Sequence, residues 1–230
     1  MLKFRNRTEA GQLLAALLSR HSYPDATVAA IPNGGVPVAI PLALHLDAPL
    51  KLCFAAKIPH PRLPIIGLGA VSLGRTLCNH DYLTKLSVSL ADFRQSARHA
   101  NHILLRRVRN LAPSHGKPER NGAATAIPNR ASTIILVDDG LATGYTALAA
   151  INQLAACQPQ HVIVAAPVCS RYAIATLKRA PIPVTLVVLQ YDTALSFLVD
   201  DHYAEFPALS DKETSRLYRQ QNPYDNDPHR

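Results

Sequence analysis

Unbroken apolar runs alternate along this chain with stretches where apolar residues return every three or four positions. The runs "ATVAAI" (26–31), "LKLCFAAKI" (50–58), "LGAVSL" (68–73), "STIILV" (132–137), "HVIVAAPV" (161–168) and "PVTLVVLQ" (183–190) predict buried strands. Helical spacing predicts helices over 36–46, 90–111, 147–157 and 170–180, with Pro41 bending the first or shifting its start. The stripe of the 90–111 helix is Leu90, Phe93, Ala97, Leu104, Val108 and Leu111. Near the N-terminus, Leu13, Leu14, Leu17 and Leu18 share one helical face, with Asn6 as its cap and Glu9 at the capping-box position. The stretch 59–67, with three prolines, and the polar stretch 112–131 read as loops, and the tail from Gln220 has no apolar pattern. Strands alternating with helices predict an α/β fold, a parallel sheet with helices on both faces. Ligands of such sheets sit at the carboxyl ends of strands, where the strand order reverses.

Length and composition fit that picture. A chain of 230 residues holds one full core and is short for two. No apolar run approaches the ~18 residues of a membrane span, and the N-terminus lacks the pattern of a signal peptide. Four cysteines, none at zinc-site spacing, read as reduced thiols of a cytoplasmic protein. The net charge of +8 attracts phosphorylated ligands or nucleic acid without specifying either.

Chemistry concentrates in "ILVDDGLATGYTALAAI" (135–151). A buried strand ends in Asp138 and Asp139, and a turn of mostly small residues, Gly140 to Thr146, then feeds a helix. Small residues let several backbone N–H groups converge on one anion at a helix N-terminus, and the hydroxyls of Thr143 and Thr146 add donors. No Lys follows Gly144, where Tyr145 stands, so this is not a Walker A loop, nor is it a G-x-G-x-x-G fingerprint. Two acids beside such a cradle suit vicinal hydroxyls or Mg2+. A ligand with a phosphate at one end and a diol in the middle, such as ribose 5-phosphate, satisfies both halves. The plainer reading is an ordinary Asp-Gly turn.

These residues resemble the phosphoribosyl-pyrophosphate (PRPP) signature of the type I phosphoribosyltransferases. "FRNRTEAGQLLA", "IPNGGVPVA", "KIPHPRLPIIGLGAVS" and the "YAEF" region resemble a bacterial branch of that family, whose usual forms are F-x-D-R-x-x-A-G, L-P-R-G-G-V-P-V-A and K-I-G-x-P-x-N-P-E-x-x-x-G-A-V. The resemblance implies a type I phosphoribosyltransferase-like sheet with a small hood from the terminal segments. The single domain would span 1–219, the hood coming from about 1–25 and 191–219, followed by a mobile tail over 220–230. It implies a glycosyltransferase of nucleotide metabolism in which a nitrogenous base displaces pyrophosphate from Mg2+-bound PRPP. By position, Asp138 and Asp139 would hold the ribose hydroxyls and the Mg2+, directly or through water or PRPP. Gly140, Leu141, Ala142, Thr143, Gly144, Tyr145 and Thr146 would cradle the 5-phosphate, and Asn33, Gly34 and Gly35 would form the pyrophosphate loop. Lys57 would sit beside the pyrophosphate, with the segment after it as a mobile cover. A homodimer is expected.

Departures from that pattern bear on turnover. Asn33 stands where the branch has Arg, and Pro59, Arg62, Leu63 and Ile65 stand where it has Gly, Gly, Asn and Glu. Ala142 replaces an acid typical of relatives acting on 6-oxopurines, which disfavours those acceptors. Tyr191, Phe197, Tyr203 and Phe206 read first as the core of a small subdomain and second as a hood. Arg94, Arg98, Arg106, Arg107 and Arg109, with His99 and His102, read as a solvated helix face. No aromatics interleave them, so nucleic acid is disfavoured. His60, His80 and His115 are expected at the surface. The alternative to an enzyme is a PRPP-binding regulator or partner protein with weak or lost catalysis.

Overall fold

The computed structural model describes residues 3–111 and 132–221. Five strands, β1 (Ala26–Ala30), β2 (Leu50–Leu52), β6 (Thr133–Val137), β7 (His161–Ser170) and β8 (Val184–Asp192), form one all-parallel sheet in the order β2-β1-β6-β7-β8. Alternate residues of a strand go to opposite faces. In β6, Ile135 and Val137 enter one core and Ile134 and Leu136 the other. Helices α1 (Arg7–Leu18) and α2 (Gly35–His45) cover the first face; α5 (Tyr145–Leu154) and α6 (Arg171–Leu177) cover the second. The α/β class expected from the sequence is therefore the one observed.

The run 50–58 is not one strand. It divides into β2 and β3 (Ala55–Pro59), and β3 leaves the parallel sheet to pair antiparallel with β4 (Gly67–Ser72), which pairs with β5 (Arg75–Cys78). Residues 53 and 54 stay buried as the chain passes between the sheets, so burial never breaks and the hydrophobic pattern holds no mark of the switch. Three elements carry too weak a pattern to be read from sequence: β5, α3 (His80–Lys85) and α7 (Asp211–Gln221). Gln220 and Gln221 therefore close a helix rather than start the tail.

The N-terminal helix begins at Asn6, whose side chain accepts from Glu9 N–H. Its buried face is Arg7, Ala10, Gly11, Leu14, Ala15 and Leu18, so Leu13 is exposed, contrary to the four-leucine stripe. Helix α4 (Leu90–Leu111) buries Phe93, Ser96, Ala100, Leu104, Val108 and Leu111 and leaves Leu90 in solvent. No helix among the described residues is long and apolar enough to cross a membrane. The 112–131 loop, His115 and residues 222–230 lie outside the described residues.

Counted along the parallel sheet alone, the strand order is second, first, third, fourth, fifth. The order reverses between β1 and β6, and the crevice beyond their carboxyl ends is where a ligand has room. Residues 32–35 leave β1 there, and 138–146 leave β6 beside them.

Candidate functional site

The turn after β6 is held from behind. Leu141 bridges Cys169, donating its N–H to Val168 O and accepting from Ser170 N–H. The fully buried Ser170 hydroxyl donates to Ala142 O and caps α6 by accepting from the N–H groups of Tyr172 and Ala173. Gly144 turns the chain into α5 at φ 75°, and the first helical hydrogen bond runs from Leu148 N–H to Gly144 O. The N–H groups of Tyr145, Thr146 and Ala147 are therefore the unpaired first turn of a helix, available to an anion. A Cβ at Gly144 would lie 2.8 Å from Ala173 O, so glycine is needed both for φ and for space.

Two cavities open in front of this turn. The first, about 260 Å³, is lined by the 140–147 turn and, opposite it, by Ile65, Phe197, Val199 and Phe206. The second, about 340 Å³, is lined by Pro32, Gly34, Ala55, Ala56, Arg107 and Asp139, among others. Lys57, Asp138 and Thr146 border both. A ligand reaching from one to the other passes Asp138 and Lys57 at its middle.

The acids are not equivalent. Asp139 is ion-paired with Arg7, Nε to Oδ2 at 2.8 Å, and its backbone O accepts from the Tyr203 hydroxyl at 2.6 Å. Its carboxylate also lies against Gly34, where a Cβ would come within 2.0 Å of Oδ2. Burial raises the pKa of Asp139, and the charge of Arg7 opposes that rise. Asp138 has no comparable ion pair among the described residues: its Oδ1 accepts from Asp139 N–H at 2.9 Å, and Arg7 favours its charged form only at longer range. Burial, reinforced by the charge of Asp139, pushes its pKa well above the ordinary carboxylate range. A divalent cation in the crevice would relieve that cost. Among the described residues no three His, Cys, Asp or Glu side chains converge as a metal site. The donor set therefore fits a cation held by Asp138 together with oxygens of a ligand.

The structure brings most of the sequence-predicted residues to this crevice. Asp138, Gly140, Leu141, Ala142, Thr143, Gly144 and Thr146 line the first cavity, and Gly34 and Asp139 the second. Leu141 is buried with its N–H already used, and the Tyr145 ring turns into the core, its hydroxyl accepting from Arg179 at 2.9 Å. Gly35 packs against β6, where a Cβ would meet Val137 O at 2.5 Å. Asn33 turns away from both cavities: its amide donates to Leu209 O at 2.8 Å and Asp211 Oδ1 at 3.2 Å. Lys57 lies at the mouth with its stem on Gly67, donating to Ile65 O at 3.3 Å, and the surrounding walls lower its pKa.

The segment after Lys57 is folded around His60. His60 is buried, contrary to the expected surface position, and its Nδ1 accepts from the N–H groups of Arg62 and Leu63 at 3.1 Å. His80 stays exposed at the start of α3. Of the aromatic set, Phe197 and Phe206 face the first cavity, Tyr203 is buried between Phe4 and Phe206, and Tyr191 is exposed away from it. Three residues gained no role from the sequence. Arg7 is quoted in a motif but reads as an ordinary helix cation, Ser170 is marked only by its place before a helix, and Arg107 is hidden among exposed arginines.

No family model matches the chain. Two curated Mycobacterium tuberculosis proteins, from strains CDC 1551 / Oshkosh and ATCC 25618 / H37Rv, each bear the name "Putative phosphoribosyl transferase". Each is 30% identical over 214 residues, covering 93% of this chain and 46% of its own length. The chain thus spans about half the length of these relatives. The crystal structure of TT1426 from Thermus thermophilus matches with TM-score 0.67 and 28% identity, over 96% of this chain and 99% of that one.

Proposed function

We propose that this chain, which is related to phosphoribosyltransferases across 93% of its length and has their type I α/β fold, transfers 5-phosphoribosyl from PRPP to a nitrogenous acceptor. The observation that carries this reading is the pair of cavities meeting at Asp138, one beginning at the N–H-rich 142–147 turn and the other at the 32–35 turn. PRPP has a matching order of groups: a phosphate, a diol and a pyrophosphate.

In this reading the 5-phosphate accepts hydrogen bonds from the first-turn N–H groups of α5 and from Thr143 and Thr146. Asp138 accepts from the ribose hydroxyls. Asp139 stays on Arg7 and keeps Asp138, Gly34 and Tyr203 in register. Asp138, together with PRPP oxygens, would hold a Mg2+ ion, which when bound would supply positive charge near the departing pyrophosphate. The acceptor enters from the side of Phe197, Phe206 and Ile65, a hood built where Phe4 and Tyr203 join the terminal segments. Its nitrogen forms a bond to the anomeric carbon as the carbon–oxygen bond to pyrophosphate breaks, and pyrophosphate leaves with the electron pair. Lys57 stands where charge grows on that leaving group. The four free cysteines suit a cytoplasmic setting. We include homodimerisation in the reading, with no membrane role and no nucleic-acid role.

Two features favour a second reading, a PRPP-binding regulator: Asn33 directs its amide toward Leu209 and Asp211 rather than into a cavity, and Ala142 offers no acid to the acceptor. Pyrophosphate release from PRPP and Mg2+ across a panel of bases and amines decides between them. Release with at least one acceptor supports the enzyme. Ribose 5-phosphate binding without any release supports the regulator.

A further inference from the structure

The sequence presents the basic residues of α4 as one solvated face, and the structure divides them. Arg94, Arg98, His99, His102, Arg106 and Arg109 are exposed. Arg107 points inward, its side chain 19% exposed, and forms part of the wall of the second cavity. We propose that Arg107 is the leaving-group cation, its guanidinium binding the pyrophosphate moiety beside the 32–35 turn. This rests on the PRPP reading above.

Lys57 and Arg107 are the cationic side chains bordering the second cavity, which is also bordered by Asp138 and Asp139. Arg7 offsets Asp139, and Asp138 faces the junction with the first cavity. A pyrophosphate carrying several negative charges would otherwise meet acids, one lysine at the mouth and backbone N–H groups. The turn itself adds no side-chain donor, because Asn33 commits its amide to Leu209 O and Asp211.

The geometry leaves Arg107 spare capacity. Its Nη1 donates to Pro32 O at 3.3 Å, which fixes the guanidinium at the turn, and its Nε reaches Asp211 Oδ1 at 3.2 Å. Both distances are long beside the ~2.7–2.9 Å of a tight charge-assisted bond. A guanidinium carries five N–H groups, so donors remain for a phosphate oxygen pair. Asp211 does not depend on Arg107 alone, since Asn33 and Asn110 also donate to it and, with Arg107, depress its pKa against the opposing effect of burial. The same Asp211 oxygen accepts from both Asn33 and Arg107, so the cation stands immediately beside the asparagine of the turn.

Calorimetry with inorganic pyrophosphate plus Mg2+, and separately with ribose 5-phosphate, tests the assignment on wild type, Arg107→Gln, Arg107→Lys and Asp211→Asn. Arg107→Gln should weaken pyrophosphate about tenfold or more and leave ribose 5-phosphate within about twofold. Arg107→Lys should fall between, keeping the charge and losing the fork. Asp211→Asn should keep or tighten pyrophosphate binding, because it releases Arg107 from its carboxylate partner. A residue that only ties α7 to the body would behave differently: Arg107→Gln and Asp211→Asn would then change both ligands and the melting temperature alike, which overturns the proposal. Wild type that binds ribose 5-phosphate but not pyrophosphate also overturns it. Wild type that binds neither removes the PRPP reading and this inference with it.

Discussion

Two glycines with nearly the same positive φ separate strain from crowding. Gly144, at φ 75°, and Gly74, at φ 81°, both occupy the left-handed region. A Cβ at Gly74 would meet nothing within 4 Å, whereas at Gly144 it would meet Ala173 O at 2.8 Å and Ala173 Cα at 2.9 Å. Gly74→Ala therefore costs the conformational term alone, about 1 kcal/mol. Gly144→Ala adds overpacking against rigid backbone, about 1–3 kcal/mol more. At about 2–4 °C per kcal/mol for a chain of this size, the expected losses in Tm are about 2–4 °C at position 74 and about 4–16 °C at position 144. Relief of the crowding moves the 142–147 N–H groups, so ribose 5-phosphate should bind at least about tenfold more weakly to Gly144→Ala and normally to Gly74→Ala. Differential scanning calorimetry and binding calorimetry on the same samples make the comparison. Equal Tm losses would refute the crowding argument, and unchanged binding by Gly144→Ala would show that the turn is not the anion cradle.

Arg7→Met should destabilise by about 3 kcal/mol in chemical denaturation, because it strands the mostly buried Asp139 carboxylate. A loss under about 1 kcal/mol would mean the pair is not holding the hood to the sheet. Asp138→Asn should raise Tm at neutral pH. The folded-state pKa of this acid lies above its unfolded value, so the native state binds the extra proton and stability falls as pH rises from about 4 toward the folded pKa. The gain of the Asn variant should accordingly vanish below about pH 4, and a variant less stable than wild type at neutral pH contradicts the assigned shift. Ser170→Ala should cost about 1–2 kcal/mol by removing the α6 cap and the donor to Ala142 O together, read as a lower denaturation midpoint at unchanged slope.

The parts of this molecule that sequence foretells are those where one local rule governs. Five of the six apolar runs became single strands, four in the expected parallel sheet and one, 68–73, in a separate antiparallel sheet, and Asn6 caps α1 as its spacing requires. The sixth, 50–58, failed because burial continues through Cys53 and Phe54 while hydrogen bonding passes from one sheet to another. Helix α7 is largely polar and buries only Thr214 and Tyr218, and its docking rests on Asp211 meeting residues about a hundred and more positions away. The crevice was legible in the 138–146 string because an anion cradle is a local object. The unequal acids were not, since the difference comes from Arg7, which is distant in sequence and close in space. His60 reads as a loop residue, and only the folded chain shows its Nδ1 holding two backbone N–H groups of that loop.

In the proposed function Asp138, between the two cavities, receives the ribose of a phosphorylated sugar. Binding calorimetry of PRPP with Mg2+, comparing wild type with Asp138→Asn, tests it most directly, with scanning calorimetry confirming that the variant is folded. Wild type should show saturable one-site binding and the variant a loss of about tenfold or more, despite its higher Tm. Equal affinity in both proteins, or no PRPP binding by folded wild type, would contradict it.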